Sequence, residues 1–400
     1  MKLLKNSFLE KFFLIFISIF LPIIFFQVFD FFYSRNTTNY NPFKLREPIN
    51  NGKPLYIENS FGVYDLGPNF NGESRYGGKY FFVKTDENGF RINHLIDEEN
   101  NNESNLGKQV FFIGDSFTFG VGVDWKESFV GLLNTKFNIN GINAGVNSHS
   151  PTIYKFKLKR LIKEGLISNN QKIVLGLDIS DVYDEATRWT EYNGMPANIS
   201  KLSELSKDNL AVNFNNQKLS EKHGGGERRN IYNKDNFKLT YQIYYGLENF
   251  VKRFIDDIQV RNNDRSKFTH KDWELIQEKF SPLGVENGLK KIRNNLVEIA
   301  KIATENKNEL YILIYPWPAQ MSYESSFDWQ RYVKNICIEI KCSGVIDTFP
   351  HFLSYKENSK SWQKELFIRG DMHFNQKGNY MLAEIIANEL KSNDFDYFKY

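Results

Sequence analysis

Cysteine is nearly missing from this sequence of 400 residues, which has only Cys337 and Cys342. No second pair and no histidine stands at zinc-ligand spacing from them. That argues against a structural metal site and leaves a disulfide between the two open. A surplus of one charge is missing too: 51 Lys and Arg face 48 Asp and Glu, a net of +3, with the signs mixed along the chain. Neither a nucleic-acid partner nor a charged tail is called for. The glycines of "HGGGERRN" are followed by no Lys-Ser/Thr pair and no helical pattern, so they make no phosphate loop. His94, His223, His270 and His351 show no ligand spacing, and neither a metal nor a cofactor is expected. With 41% hydrophobic residues the chain can still bury a large core, and disorder of the whole is excluded.

Long apolar runs are also absent, with one exception at the start. Residues 12–26 read "FFLIFISIFLPIIFF", and the run continues through Val28 and Phe29 with Gln27 as its strong interruption. At about 1.5 Å per residue this nearly spans a hydrocarbon core, and slight tilt or thinning makes up the difference. A transmembrane signal anchor over 12–33 is expected, with Pro22 tolerated as a kink. Lys2, Lys5 and Lys11 precede it, so residues 1–11 are expected in the cytoplasm and everything after the span on the periplasmic or extracellular side. The rivals are a cleaved signal peptide, which lacks a small-x-small site near Phe29 to Asn36, and a buried core helix.

After the span, residues 34–105 form an irregular extension in which "YFFVKTDENGFRI" predicts a hairpin turning at Asn88-Gly89. From Val110, short apolar runs alternate with helical patterns: "VFFIG", "GINAG", "KIVLGLDI", "LYILIYP" and "GVIDT" as strands, with helices between and "KGNYMLAEIIANEL" closing the chain. Such alternation predicts a mostly parallel sheet covered on both faces. Between about 185 and 285 the alternation breaks for too long to be a plain loop, so an inserted helical subdomain is expected within the 106–400 domain.

At the end of the first of these strands stands Gly-Asp-Ser, with Ser116 where ligands bind in such sheets. Asp371 and His373 lie two apart before the closing helix, so their side chains can point to one side. A carboxylate there can orient the imidazole, and the imidazole can take the proton that a serine must lose to become a nucleophile. Asp115 fits a turn brace better than a catalyst. Asp178, Asp181 and Asp184 fit solvated or capping carboxylates better than a cation site. Trp317, in "YPWP", could stack on a sugar ring or simply pack, and His149 could touch substrate or serve structure.

In "FFIGDSFTFG", "NAGVNSHSP", "IVLGLDISDVYDE" and "GDMHFNQKG" the chain resembles, in order and spacing, the four blocks of the SGNH (GDSL-type) hydrolase family over about Val110 to Leu390. Within the family it is most similar to the membrane-anchored branch of envelope polysaccharide O-acetylation and deacetylation proteins. The resemblance implies a three-layer α/β/α, flavodoxin-like domain, with Ser116 as nucleophile, His373 as base and then acid, and Asp371 as its partner. It also implies oxyanion donors from the Ser116 N–H, from Ser148 where the family has glycine, and from Ser180 where it has an asparagine amide, with Asn147 as a substitute. Losing one such donor typically lowers the rate a hundred- to a thousandfold. The implied partners are the membrane, an acylated glycan or acyl donor, and a membrane acyl-transfer protein. The alternative is a non-catalytic envelope protein that uses the fold to bind a glycan or an assembly partner.

Overall fold

The computed structural model of the chain describes residues 18, 20–34, 49–76, 79–93, 109–207, 280–323 and 327–391, with positions 239, 240, 243, 247, 275 and 325. Residues 1–17, most of 208–279 and "HGGGERRN" lie outside the described residues, and with them the expected cytoplasmic segment and most of the expected insertion. The chain forms two units: 48–218 with 268–400, and 1–47 with 219–267.

The extension is more ordered than its turn-rich composition predicts. Strands β1 (Tyr56–Glu58) and β2 (Tyr64–Leu66) pair with each other, while β3 (Asn71–Tyr76), β4 (Lys79–Thr85) and β5 (Arg91–Ile92) form an antiparallel run. The turn between β4 and β5 falls where Asn88-Gly89 predicted it. Gly89 takes a φ of +80°, and the Asp86 carboxylate accepts the N–H groups of Asn88 and Phe90.

The apolar runs beyond residue 109 supply β6 (Val110–Ile113), β7 (Gly141–Asn143), β8 (Lys172–Leu177), the hairpin β9 (Trp189–Tyr192) and β10 (Met195–Asn198), β11 (Glu309–Ile314) and β12 (Gly344–Asp347). Strands β7-β6-β8-β11-β12 lie side by side, all parallel, and β5 joins the free edge of β7 through Arg91 and Asn143. One eight-stranded mixed sheet results, so the extension is part of the main sheet and not an appendage. Its parallel part has the flavodoxin-like order, with the switch point at the carboxyl end of β6.

A short helix α1 (Ser116–Phe119) follows β6, then α2 (Phe129–Lys136), α3 (Pro151–Lys163), α4 (Ser180–Thr187), α5 (Ile199–Lys207), α6 (Gly284–Glu305), α7 (Trp329–Ile340) and α8 (Gln376–Lys391). Helix α6 packs against α3, α4 and α7, while α8 packs on α2. Strands β6, β8 and β11 are buried along nearly their whole length, as both-face coverage requires. The described part of the expected insertion is the β9–β10 hairpin and α5. Cys337 and Cys342 form a disulfide between the end of α7 and β12, with Cα atoms 5.0 Å apart.

In the smaller unit, residues 20–34 are helical and leave Leu21, Ile24 and Phe25 exposed. Asp30 is buried and accepts the main-chain N–H groups of Leu239 and Thr240. No helix among the described residues is long and apolar enough to cross a membrane. Residues 12–17 and 19 of the expected span over 12–33 lie outside the described residues.

Candidate active site

Strand β6 ends at Ile113, and the chain turns at once into α1. Gly114 makes the turn possible, since a Cβ there would sit 2.1 Å from Thr118 Oγ1. Asp115 caps the helix by accepting the Phe117 N–H at 2.9 Å, and it also accepts the Tyr315 hydroxyl at 3.0 Å. It is the turn brace that its position suggested. Ser116, a half-buried residue, is thereby held at the sheet's switch point.

The segment before α8 brings the partner groups. Main-chain bonds from Asp371 N to Ile368 O and from Ile368 N to His373 O curl it into a tight loop. Asn375 anchors the loop, its Oδ1 accepting the Lys377 and Gly378 N–H groups while its amide donates to Lys364 O and Phe367 O. His373 Nε2 lies 2.7 Å from Ser116 Oγ, and His373 Nδ1 lies 2.5 Å from Asp371 Oδ1. With the Nδ1 proton directed at the carboxylate, Nε2 accepts from the serine. Burial works to raise the Asp371 pKa, but hydrogen bonds and charge from His373, together with the Tyr76 hydroxyl, outweigh it and hold the carboxyl below its ordinary value. His373 is buried, and its imidazole sits between the Phe117 ring, 4.7 Å away, and the Tyr76 ring, 5.1 Å away. A shallow dent at Ser116 is lined by Phe117, Gly120, Val121, His373, Phe374 and Asn379.

The expected oxyanion residues fare unequally. Ser148 follows β7 with φ +55°, the left-handed region that favours glycine, so the backbone keeps a glycine-like conformation although a side chain is present. Its carbonyl accepts the Trp189 indole N–H at 2.7 Å. Asn147 Oδ1 is buried without a hydrogen-bond partner, and its carbonyl accepts the Tyr64 hydroxyl. Ser180 is a correction: its hydroxyl and its N–H both donate to Asp178 Oδ1, the nearest acceptor two residues back, so the hydroxyl is engaged locally.

Both expected substrate contacts are also corrected. Trp317 is 3% exposed and donates its indole N–H to Asp178 at 2.9 Å, which leaves no ring face for a sugar. His149 is buried, with Nε2 2.7 Å from Tyr64 O, and burial followed by the charge of Lys157 pushes its pKa down to about 4. The acidic residues after β8 are not solvated. Asp178 and Asp181 are buried, and burial, with Asp178 next, raises the carboxyl pKa values of both Asp115 and Asp181 well above the ordinary value.

Two residues of the extension escaped sequence reasoning. Tyr76 donates its hydroxyl to Asp371 Oδ2 at 2.9 Å. The buried guanidinium of Arg91 donates to the carbonyls of Phe82, Phe119, Gly120 and Val123, clamping the chain that leaves α1. Nothing local marks either residue, since each acts across a long sequence separation.

A serine, a histidine and an aspartate hydrogen-bonded in series at the switch point of a flavodoxin-like sheet form a nucleophile-base-orienter arrangement. No family model and no curated protein matches the chain. Its structure is similar to those of GDSL-type lipolytic proteins and esterases. Among these are a member of the lipolytic protein G-D-S-L family from Veillonella parvula (TM-score 0.37, 12% identity, covering 72% of this chain and 100% of that one) and the psychrotrophic esterase EstA from Pseudoalteromonas sp. (TM-score 0.36, 11% identity, 71% and 97%). A third is Axe2, an acetylxylan esterase from Geobacillus stearothermophilus (TM-score 0.32, 13% identity, 71% and 94%).

Proposed function

We propose that the chain is a serine esterase or O-acyltransferase, anchored to the membrane near its N-terminus, that works on acetyl esters of an envelope glycan. The observation that carries the chemistry is the unbroken series from Ser116 Oγ through His373 to Asp371.

In this reading Ser116 Oγ attacks the ester carbonyl while its proton passes to His373 Nε2. The Ser116 and Ser148 N–H groups receive the oxyanion, with the Asn147 side chain as a further donor. His373 then returns the proton to the leaving alkoxide, and an acyl-serine remains. Water or a sugar hydroxyl gives its proton to His373 and attacks the acyl carbon, and His373 hands that proton to Ser116 Oγ as the acyl bond breaks, so hydrolysis and transfer differ only in the second nucleophile. A membrane partner would supply the acyl donor in the transfer case. The anchor is supported by the apolar run from Phe12, the lysines before it and the exposed Leu21, Ile24 and Phe25. The Cys337–Cys342 bridge suits an oxidising compartment outside the cytoplasm.

The test is labelling by a serine-directed phosphonate together with hydrolysis of p-nitrophenyl acetate, comparing the native chain with Ser116→Ala. Loss of labelling and a fall in kcat of at least about a thousandfold are expected. A second reading, a non-catalytic binding protein, is favoured by the engaged Ser180 hydroxyl. Absence of any Ser116-dependent labelling or turnover would select it.

A further inference from the structure

We infer that Tyr76, delivered by the N-terminal extension, is a positioning residue for the relay, tuning through its hydroxyl how strongly Asp371 holds the His373 ring. The inference deepens the esterase reading and rests on it for its kinetic consequences.

The division of hydrogen bonds around Asp371 is the starting point. Oδ1 takes the His373 ring at 2.5 Å and the His373 main-chain N–H at 2.9 Å, whereas Oδ2 takes the Tyr76 hydroxyl at 2.9 Å. The same hydroxyl lies 3.0 Å from His373 Nδ1, and the Tyr76 ring stands edge-on to the imidazole. The hydroxyl therefore caps the Nδ1 side of the relay, away from Ser116. Burial and the adjacent Asp371 push the Tyr76 pKa up, so the phenol stays a donor. Its approach is built into the fold. Tyr76 ends β3, which pairs along its length with β4, and β4 is fixed by the Phe82 N–H to Asp124 at 2.7 Å and by Arg91 to Phe82 O. The titratable groups that meet at Asp371 are thus Tyr76 and His373, with Ser116 on the far side of the ring.

A donor on Oδ2 withdraws charge from the carboxylate. Without it the carboxylate holds the imidazolium more tightly, so the ring keeps its proton to higher pH. The looser carboxylate also orients the ring less well, which lowers kcat. KM should stay unchanged because the hydroxyl faces away from the nucleophile.

The experiment is an NMR titration of the histidine rings in the full chain, with His373→Ala assigning the signal, and parallel kinetics on p-nitrophenyl acetate. In Tyr76→Phe the His373 midpoint should rise by about half a unit or more. The kcat should fall about fivefold to twentyfold, with KM within about twofold. In an Asp371→Asn background, adding Tyr76→Phe should change kcat less than about twofold, because its target is gone. A midpoint that stays within about 0.2 unit of the native one overturns the inference, as does an undiminished effect in the Asp371→Asn background. Site-specific 3-fluorotyrosine at position 76, a stronger donor of nearly native size, should move the midpoint downward. It serves if Tyr76→Phe fails to fold, and an upward or absent shift counts against the inference. A native chain that shows these ring shifts but neither hydrolyses ester nor takes phosphonate sinks the esterase reading and keeps this one.

Discussion

At the scale of single residues, half-buried Asp371 and buried His149 both withdraw stability as pH falls, each in its own pH window. Asp371 has a depressed folded-state pKa, so its contribution to stability is fully present above its unfolded value near 3.8 and is lost as pH falls through the lower folded value. Asp371→Asn should lower kcat about a thousand- to ten-thousandfold by releasing the ring. The stability gap between native and variant chains should close at acid pH, which denaturation at pH 7 and pH 3 would read. His149 is also depressed, and here too the folded state refuses a proton that the unfolded chain accepts. Stability therefore falls as pH drops from 6.5 towards about 4. Between pH 6.5 and 5 the loss due to this residue should be roughly 2 kcal/mol. In His149→Gln that part of the slope should disappear from urea melts, and an unchanged slope would show that the ring is not the sensor.

At the scale of elements, the hairpin formed by β4 and β5 is a latch on the nucleophile turn. Arg91 reaches four carbonyls, three of them in the Phe119 to Val123 stretch that follows α1. Arg91→Met keeps the apolar stem but leaves those carbonyls without their donor in a buried place. A loss of at least about 3 kcal/mol is expected, read by urea unfolding, and ester hydrolysis should fall with it. How far these elements were legible follows from the same contrast. The parallel strands announce themselves because burial on both faces demands unbroken apolar runs such as "VFFI" and "YILI". Ser116, Asp371 and His373 were legible because their chemistry demands particular residue types next to particular turns. The engagement of Ser180 with Asp178, and the burial of Trp317 and His149, were not legible, since a polar or aromatic residue at a strand end looks the same whether it faces solvent or a neighbour. Tyr76 and Arg91 depend on which strand pairs with the free edge of β7, which no local pattern encodes.

At the scale of the whole molecule, the extension and the catalytic domain share one sheet, so the boundary that composition suggested near residue 105 is not a cleavage plane of the fold. A chain starting at residue 106 should be insoluble or inactive, whereas one starting at residue 48 should fold and hydrolyse p-nitrophenyl acetate at near-native rate. Equal activity in the shorter chain would show that the antiparallel strands are dispensable. The full chain should sediment with membranes and require detergent for release, and a version lacking residues 1–47 should not. Nucleophile and base are 257 positions apart, with the base carried in on the segment just before α8. During synthesis Ser116 therefore emerges long before His373, and a polypeptide that stops short of residue 373 lacks the proposed base. The series can close only when the segment before α8 reaches the end of β6, so activity of the proposed esterase should depend on the packing of α8 on α2.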